Sequence, residues 1–234
     1  MESGLPVLVV PRGSGNDFAR ALGLRTANCA LAAWRSFVSE KRHVRFVDVG
    51  LIKSLGPAGQ PQEHYFGTVA GVGLDGAVAR RANRMPRWLR GNGGYAVALL
   101  PALFQFAPFP LKILGMADPS VSTDFEQTVL AAFANVPAYG GGMKIAPRAR
   151  IDDGQLDICM IRDISKFKLF CVFPTVYFGR HLGLREVEYI KAPSVRLETE
   201  YPLDVYADGE YVCQTPVEIS LKPAALRVIT LSAQ

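Results

Sequence analysis

Three short stretches carry groups that could handle a phosphate, a proton and a cation. The first is Pro11-Arg-Gly-Ser-Gly-Asn-Asp-Phe-Ala-Arg20, which follows the apolar run Leu5 to Val10. A strand that stops at a Gly-Ser-Gly turn and restarts as a helix aims several backbone N–H groups at one spot, with the positive helix end behind them. Such a seat suits an anion. Gly13 and Gly15 let a phosphate approach the backbone, Ser14 adds a hydroxyl, and Asn16 or Asp17 can cap a helix beginning near Phe18. An ordinary strand-to-helix turn with a good cap has the same pattern. The second stretch, Asp208-Gly-Glu210, puts carboxylates at a turn between two short strands. A proton acceptor there needs its carboxyl lifted above the ordinary value of about 4.3 by partial burial. Asp-Gly is equally a common hairpin turn, leaving Glu210 a solvated strand residue. The third, Asp152-Asp-Gly-Gln155, offers hard oxygen ligands of the kind magnesium accepts, and reads as well as a type I′ hairpin. Asp157 beyond it is either an outward strand residue or a partner supporting that turn.

Other chemistries find less support. Gly71-Val-Gly73-Leu-Asp-Gly76 matches the glycine spacing of a dinucleotide loop, but no Asp or Glu occurs between Asp75 and Asp118 to hold a ribose. His43, His64 and His181 are separated in sequence from one another and from cysteine, and no Gly-x-Ser-x-Gly elbow or Walker A loop is present. Cys29, Cys159, Cys171 and Cys213 are widely spaced in apolar surroundings, which predicts buried free thiols in a reducing compartment.

The elements that must position these groups follow from periodicity. Residues 28–39 predict a helix with Leu31, Trp34 and Val38 on one face, and residues 44–53 and 64–69 predict a hairpin around a Gly/Pro loop. Residues 77–84 predict a helix. Tyr95 to Ala117 carries only Lys112 as a charge, but Pro101, Pro108 and Pro110 argue against a membrane span and for a buried helix, 94–106, before a strand, 109–116. A core strand over 128–135 ends at Tyr139-Gly-Gly-Gly142, three glycines that mark backbone too tightly placed for a Cβ. A strand over 155–162 and an amphipathic helix over 165–179 interrupted by Pro174 follow, and then six short strands, 187–191, 194–200, 203–207, 211–213, 217–222 and 226–231. The fold class is α+β: a β-rich, sandwich-like domain over 41–222, a remnant of an N-terminal α/β nucleotide-binding unit over 1–40, and a last strand, 223–234, returning to that unit.

Composition agrees with a packed globular chain: 49% of the 234 residues are hydrophobic. The net charge of +5 suits acidic partners, whether anionic lipid or nucleotide phosphate. Arg80, Arg81, Arg84, Arg87 and Arg90, broken by Met85, Pro86, Trp88 and Leu89, read either as a solvated face or as a patch for an anionic lipid interface; no nucleic-acid-binding signature accompanies them.

Taken together, Pro11 to Arg20, Tyr139-Gly-Gly-Gly-Met-Lys-Ile-Ala-Pro147, Asp152-Asp-Gly-Gln-Leu-Asp157 and Asp208-Gly-Glu210 resemble the catalytic domain of bacterial diacylglycerol-kinase-type lipid kinases, a group that includes sphingosine and ceramide kinases. The resemblance runs over nearly the whole chain. It implies an ATP-dependent transfer of the γ-phosphate to a lipid hydroxyl in a cleft between two lobes. It implies ATP contacts from Gly13, Ser14, Gly15, Asn16 and Asp17, and catalytic carboxylates at Asp208 and Glu210, with Glu210 the general base. It implies a structural Mg²⁺ held by Asp153 and the main-chain carbonyls of Arg150 and Gln155, and places Asp75 towards the substrate side of the cleft. Phosphoryl transfer needs mainly a phosphate cradle, a cation and a proton acceptor, and these positions would supply them. Expected partners are ATP, a diacylglycerol-like membrane lipid, an anionic membrane surface and a second copy of the chain as a homodimer; expected location is cytoplasmic with peripheral membrane association. Two departures stand out. Ser14 replaces the family's threonine, keeping the hydroxyl, and the family's earlier Gly-Gly-Asp-Gly-Thr loop does not occur in this sequence. The chain is therefore expected to be truncated relative to a complete kinase; the alternative is a non-catalytic lipid-binding or regulatory module that kept the β-domain.

Overall fold

Alternating apolar side chains feed two cores at once. The computed structural model describes residues 4–13, 15–41, 43–56, 58–84, 101–103, 106–162 and 164–231, with the backbone alone for 40, 41, 75, 79 and 82–84. Ser14, Arg87, Arg90 and most of the helix expected over 94–106 lie outside the described residues, as does the side chain of Asp75; residues 101–103 are helical. The elements are α1 (Asp17–Ala21), α2 (Ala27–Ser36), β1 (Val44–Leu55), β2 (Pro61–Phe66), β3 (Val69–Gly73), α3 (Leu74–Arg84), β4 (Phe109–Gly115), β5 (Thr123–Ala134), β6 (Leu156–Arg162), α4 (Lys166–Val172), β7 (Val187–Ala192), β8 (Ser194–Thr199), β9 (Asp204–Ala207), β10 (Glu210–Gln214) and β11 (Val217–Ile229). The strands run β10-β9-β3-β5-β4-β8-β11-β1-β2, with β6 on β5 and β7 on β6.

β5 is the shared strand. Its first half, Thr123–Thr128, pairs with β4, whereas Leu130–Ala134 lies between β3 and β6, so the sheet folds over on itself there. Because successive side chains point to opposite faces, Leu156, Ile158 and Met160 of β6 enter the main sandwich core with Phe109, Phe133 and Leu197, while Cys159 and Ile161 enter a second core under α3 and α4. The sequence shows the first of these faces; that β6 is buried on both became visible only with the helices in place.

A third core joins the N-terminal segment to the sheet. Leu22 and Leu24 pack with Val47, Val136, Val228 and Ile229, and Val7 bridges Val228 in parallel, its N–H donating to Arg227 O and its O accepting from Ile229 N. The helix α2 departs from its predicted packing: Ala30 and Ala33 are buried, and Leu31, Trp34 and Val38 face outward. The predicted strands 217–222 and 226–231 are one strand, β11, whose pairing with β1 slips between Val47 and Val49, beside Ala224 at φ 51°. The helix predicted over 165–179 is α4 followed by 3-10 turns from Phe173, where Pro174 removes a backbone donor.

Gly73 is the hinge from β3 directly into α3. Its φ is +90°, and a Cβ there would lie 2.6 Å from both Val129 O and the Phe109 ring. Gly73→Ala is expected to cost about 2–4 kcal/mol, combining left-handed strain with overpacking, read as a lower urea midpoint at unchanged slope.

Candidate functional site

A cleft of about 620 Å³ opens between the N-terminal loop and the sheet, lined among others by Gly15, Asn16, Asp17, Gly67, Thr68, Gly140, Gly141, Asp208 and Gly209. Three turns distant in sequence meet here. In the first, Asn16 adopts a left-handed conformation and closes the loop on itself: its Oδ1 accepts from Gly13 N at 2.8 Å and its Nδ2 donates to Gly13 O at 2.6 Å. Asn16 is therefore a loop clasp, with no side-chain cap bond to α1, and Gly13 spends its N–H inside the loop. Asp17 reaches across and accepts from Gly141 N at 3.0 Å, with Arg20 3.5 Å away. Burial pushes the Asp17 carboxyl above its ordinary value, against the Gly141 N–H and Arg20, which pull it down.

The glycine turn explains itself by handedness. Gly140, Gly141 and Gly142 have φ of 58°, 86° and 108°, and Tyr139 and Met143 close the turn with paired backbone bonds of 3.0 and 2.9 Å. A Cβ on Gly141 would meet nothing within 4 Å. Three successive left-handed residues, rather than the crowding expected from the sequence, require glycine at this turn.

Asp208 and Gly209, at φ 52° and 86°, form the β9–β10 turn with the left-handed pair that a type I′ turn needs. The Asp208 carboxylate accepts from Gly67 N and Thr68 N, each at 2.8 Å, and from the Thr68 hydroxyl. It is a latch that holds the turn against the β2–β3 corner. Glu210 follows, exposed and opposite Ala207 in the hairpin, next to the cleft-lining Gly209 but not itself among the residues that line the cleft.

The third predicted turn lies outside the cleft. Arg150, Asp153 and Gln155 do not line it, and only Gly154 in that turn has a positive φ (69°), so the turn is not the type I′ hairpin expected. Asp153 Oδ1 accepts from Gln155 N at 3.1 Å and Oδ2 lies 3.1 Å from Lys191 Nζ. The one carboxylate in the predicted magnesium donor set already holds an ammonium, and among the described residues no group of three or more His, Cys, Asp or Glu side chains could hold a metal. The remaining donors of that set, the main-chain carbonyls of Arg150 and Gln155, lie outside the cleft with it. Lys191 also lies 3.3 Å from Asp157, which is wholly buried and accepts from Tyr189 Oη at 2.6 Å. Desolvation raises the Asp157 carboxyl despite those two partners, and burial with the Asp157 contact raises Tyr189 far above its ordinary value.

The residues that connect the turns were missed in the sequence. Asp48, 2% exposed, accepts from Ala224 N and Gly154 N, each at 2.7 Å, while its own O accepts from Asn135 Nδ2 at 2.9 Å. Asn135 Nδ2 also donates to Gly67 O at 3.0 Å, and Gly67 N is held by Asp208. A hydrogen-bonded path thus runs from the Asp152–Gly154 turn through Asp48, Asn135 and Gly67 to the cleft. A signal was present: Asp48 is the lone carboxylate inside the apolar strand Phe46 to Ile52.

Elsewhere, His181 is not isolated from cysteine. It is buried, with Nε2 3.1 Å from Ile145 O and 3.8 Å from Cys159 Sγ. Burial pushes the Cys159 thiol to about 12 and lowers the His181 imidazole. Cys171 is exposed, against the expectation that all four thiols are buried. Because the folded imidazole titrates below its ordinary value of about 6.5, its stabilising neutral form is complete above that pH and is lost as pH falls towards the folded value. Unfolding free energy is expected to drop by up to about 1.4 kcal/mol per pH unit in that window, and less in His181→Gln, by urea titration at pH 5–7. Arg80 of the basic cluster is paired with Asp204 at 3.0 Å.

The folded-over sheet makes a β-sandwich domain, with the cleft between it and the N-terminal loop. The family described as the YegS C-terminal NAD kinase beta sandwich-like domain matches residues 68–230. A diacylglycerol kinase of Mycobacterium tuberculosis is 39% identical over 225 residues, 96% of this chain and 69% of that protein. A probable lipid kinase, YegS-like, of Chromohalobacter salexigens is 28% identical over 221 residues, 93% of this chain and 65% of that protein. A solved Bacillus anthracis structure superposes with a TM-score of 0.73 at 25% identity, covering 99% of this chain and 70% of that one. The chain belongs to the bacterial diacylglycerol kinase and lipid kinase family. Among the described residues no helix is long and apolar enough to cross a membrane.

Proposed function

We propose that this chain is the lipid-phosphorylating portion of an ATP-dependent kinase that transfers the γ-phosphate to the hydroxyl of a diacylglycerol-like lipid. The reading is supported by the cleft that unites the Gly15–Asp17 loop, the Gly140–Gly141 turn and the Asp208-Gly209 turn, with Glu210 next in the chain to Gly209, and by the names of the relatives. Glu210 takes the proton of the attacking hydroxyl. Asp208 is a positioning residue, since its carboxylate is spent on Gly67 and Thr68. The Gly15–Asp17 loop and the glycine turn line the space for the phosphates, with Asn16 closing the loop on Gly13 and Asp17 fixing it to the turn.

The test is transfer of label from ATP to diacylglycerol in mixed vesicles with magnesium. It is run on this chain and on the chain joined to the part of the Mycobacterium relative that it does not cover. Labelled lipid from either is the expected result. Vesicle binding with no labelled lipid from both would leave the non-catalytic lipid-binding module in its place.

A further inference from the structure

Residues 164–185 contain no Asp or Glu but carry Lys166, Lys168, Arg180 and Arg185 together with Phe167, Phe170, Phe173, Tyr177 and Phe178. The fold sorts these aromatics. Leu169 and Val176 are buried in the second core, where Phe173 and Tyr177 pack edge to face at 5.9 Å. Phe167, Phe170 and Phe178 are left 77%, 45% and 72% exposed. Phe167 and Phe170 stand three apart on α4 and so share a face, with the exposed Cys171 beside them. Three outward phenylalanines on adjoining elements are costly in water unless something covers them.

The charges say what kind of cover. Lys168 (2.6 Å) and Arg185 (2.9 Å) converge on the buried carboxylate of Glu186, pulling its carboxyl down to about 2 and pinning α4 to the loop before β7. Four cations against that one carboxylate leave the segment net positive, with Lys166 and Arg180 both exposed. Aromatics that enter the acyl boundary beside cations that meet phosphate headgroups are the makeup of an interfacial anchor. The exposed phenylalanines stand on a short helix and the turns after it, beside exposed cations, which fits a bilayer surface better than a partner with an acidic rim. Beneath α4, Leu169, Phe173 and Val176 line a small apolar cavity of about 50 Å³ that also touches Tyr139, and Tyr139 lines the cleft as well. Tyr139 thus lies between the cavity beneath α4 and the cleft.

We infer that α4 and the following turn, through Phe167, Phe170 and Phe178 with Lys166 and Arg180, form the surface that docks on an anionic lipid bilayer. As the face from which the lipid is taken, this surface rests on the kinase reading; as a membrane-binding surface it stands alone. The experiment is co-sedimentation, without ATP, with vesicles of phosphatidylglycerol and phosphatidylcholine, and with phosphatidylcholine alone. The chain is expected to partition onto the anionic vesicles. Phe167→Ser/Phe170→Ser, and separately Phe178→Ser, lower that partition by about tenfold or more with melting temperature unchanged, and Lys166→Glu/Arg180→Glu lowers it and flattens its salt dependence. Partition unaffected by both phenylalanine variants overturns the inference. So does conversion of a dimer to a monomer by these variants with partition unchanged, which would make the face a contact between copies. If no lipid is phosphorylated but partition still follows the phenylalanines, the kinase reading fails and the docking surface stands.

Discussion

Glu210→Gln is expected to reduce transfer of phosphate to lipid by about 10²- to 10⁴-fold, the usual contribution of a positioned general base. Glutamine keeps the shape and loses the proton acceptor. Because Glu210 is exposed on the hairpin rim, the same variant should leave the melting temperature and vesicle partition unchanged. Asp208→Asn behaves differently. It sets an amide N–H₂ against donors from Gly67 and Thr68, so it is expected to lower the urea midpoint as well as the rate. Full activity in Glu210→Gln would remove Glu210 from the chemistry, and loss of rate only in proportion to loss of folded protein would make it structural.

The second large effect is on stability. Asp48→Ala is expected to destabilise the chain by about 3–5 kcal/mol, because two buried backbone donors, Gly154 N and Ala224 N, lose a charged acceptor at once. Asp48→Asn, which keeps one acceptor oxygen, should cost less. Equilibrium urea unfolding separates the two variants, and equal losses would show that the site needs only a side chain of that size. The same path reaches Gly67, so Asp48→Ala is also expected to lower the rate of any chemistry in the cleft beyond its effect on folded population.

Much of the β-domain was legible because its strands announce themselves by period-two alternation bounded by Gly, Pro and Asp. The strand over 155–162 and the short strands from 187 onward fall within a residue or two of their predicted places, apart from the merger of the last two into β11. The family was legible from four spaced motifs. What sequence could not give were partners across the fold. Asp208 reads as a carboxylate free for chemistry until Gly67 and Thr68, some 140 residues earlier, arrive to use it. Asp153 reads as a carboxylate without a cation beside it until Lys191, 38 residues on, comes alongside. His181 reads as remote from cysteine until β6 brings Cys159 beneath it.

The division has one physical reason. Handedness, alternation and turn chemistry are properties of a few consecutive residues, and so the glycine turn at 140–142, the Asp208-Gly209 turn and the strands are set locally. Whether a side chain is buried, paired or exposed depends on which distant element packs over it. Leu31, Trp34 and Val38 face outward because Ala30 and Ala33 are the side of α2 that the third core accepts. Phe167 and Phe170 face outward because Leu169 takes the inward position. Local chemistry sets the strands, the glycine turn and the Asp208-Gly209 turn; the packing of distant elements sets which carboxylates hold the cleft together and which aromatics stay at the surface.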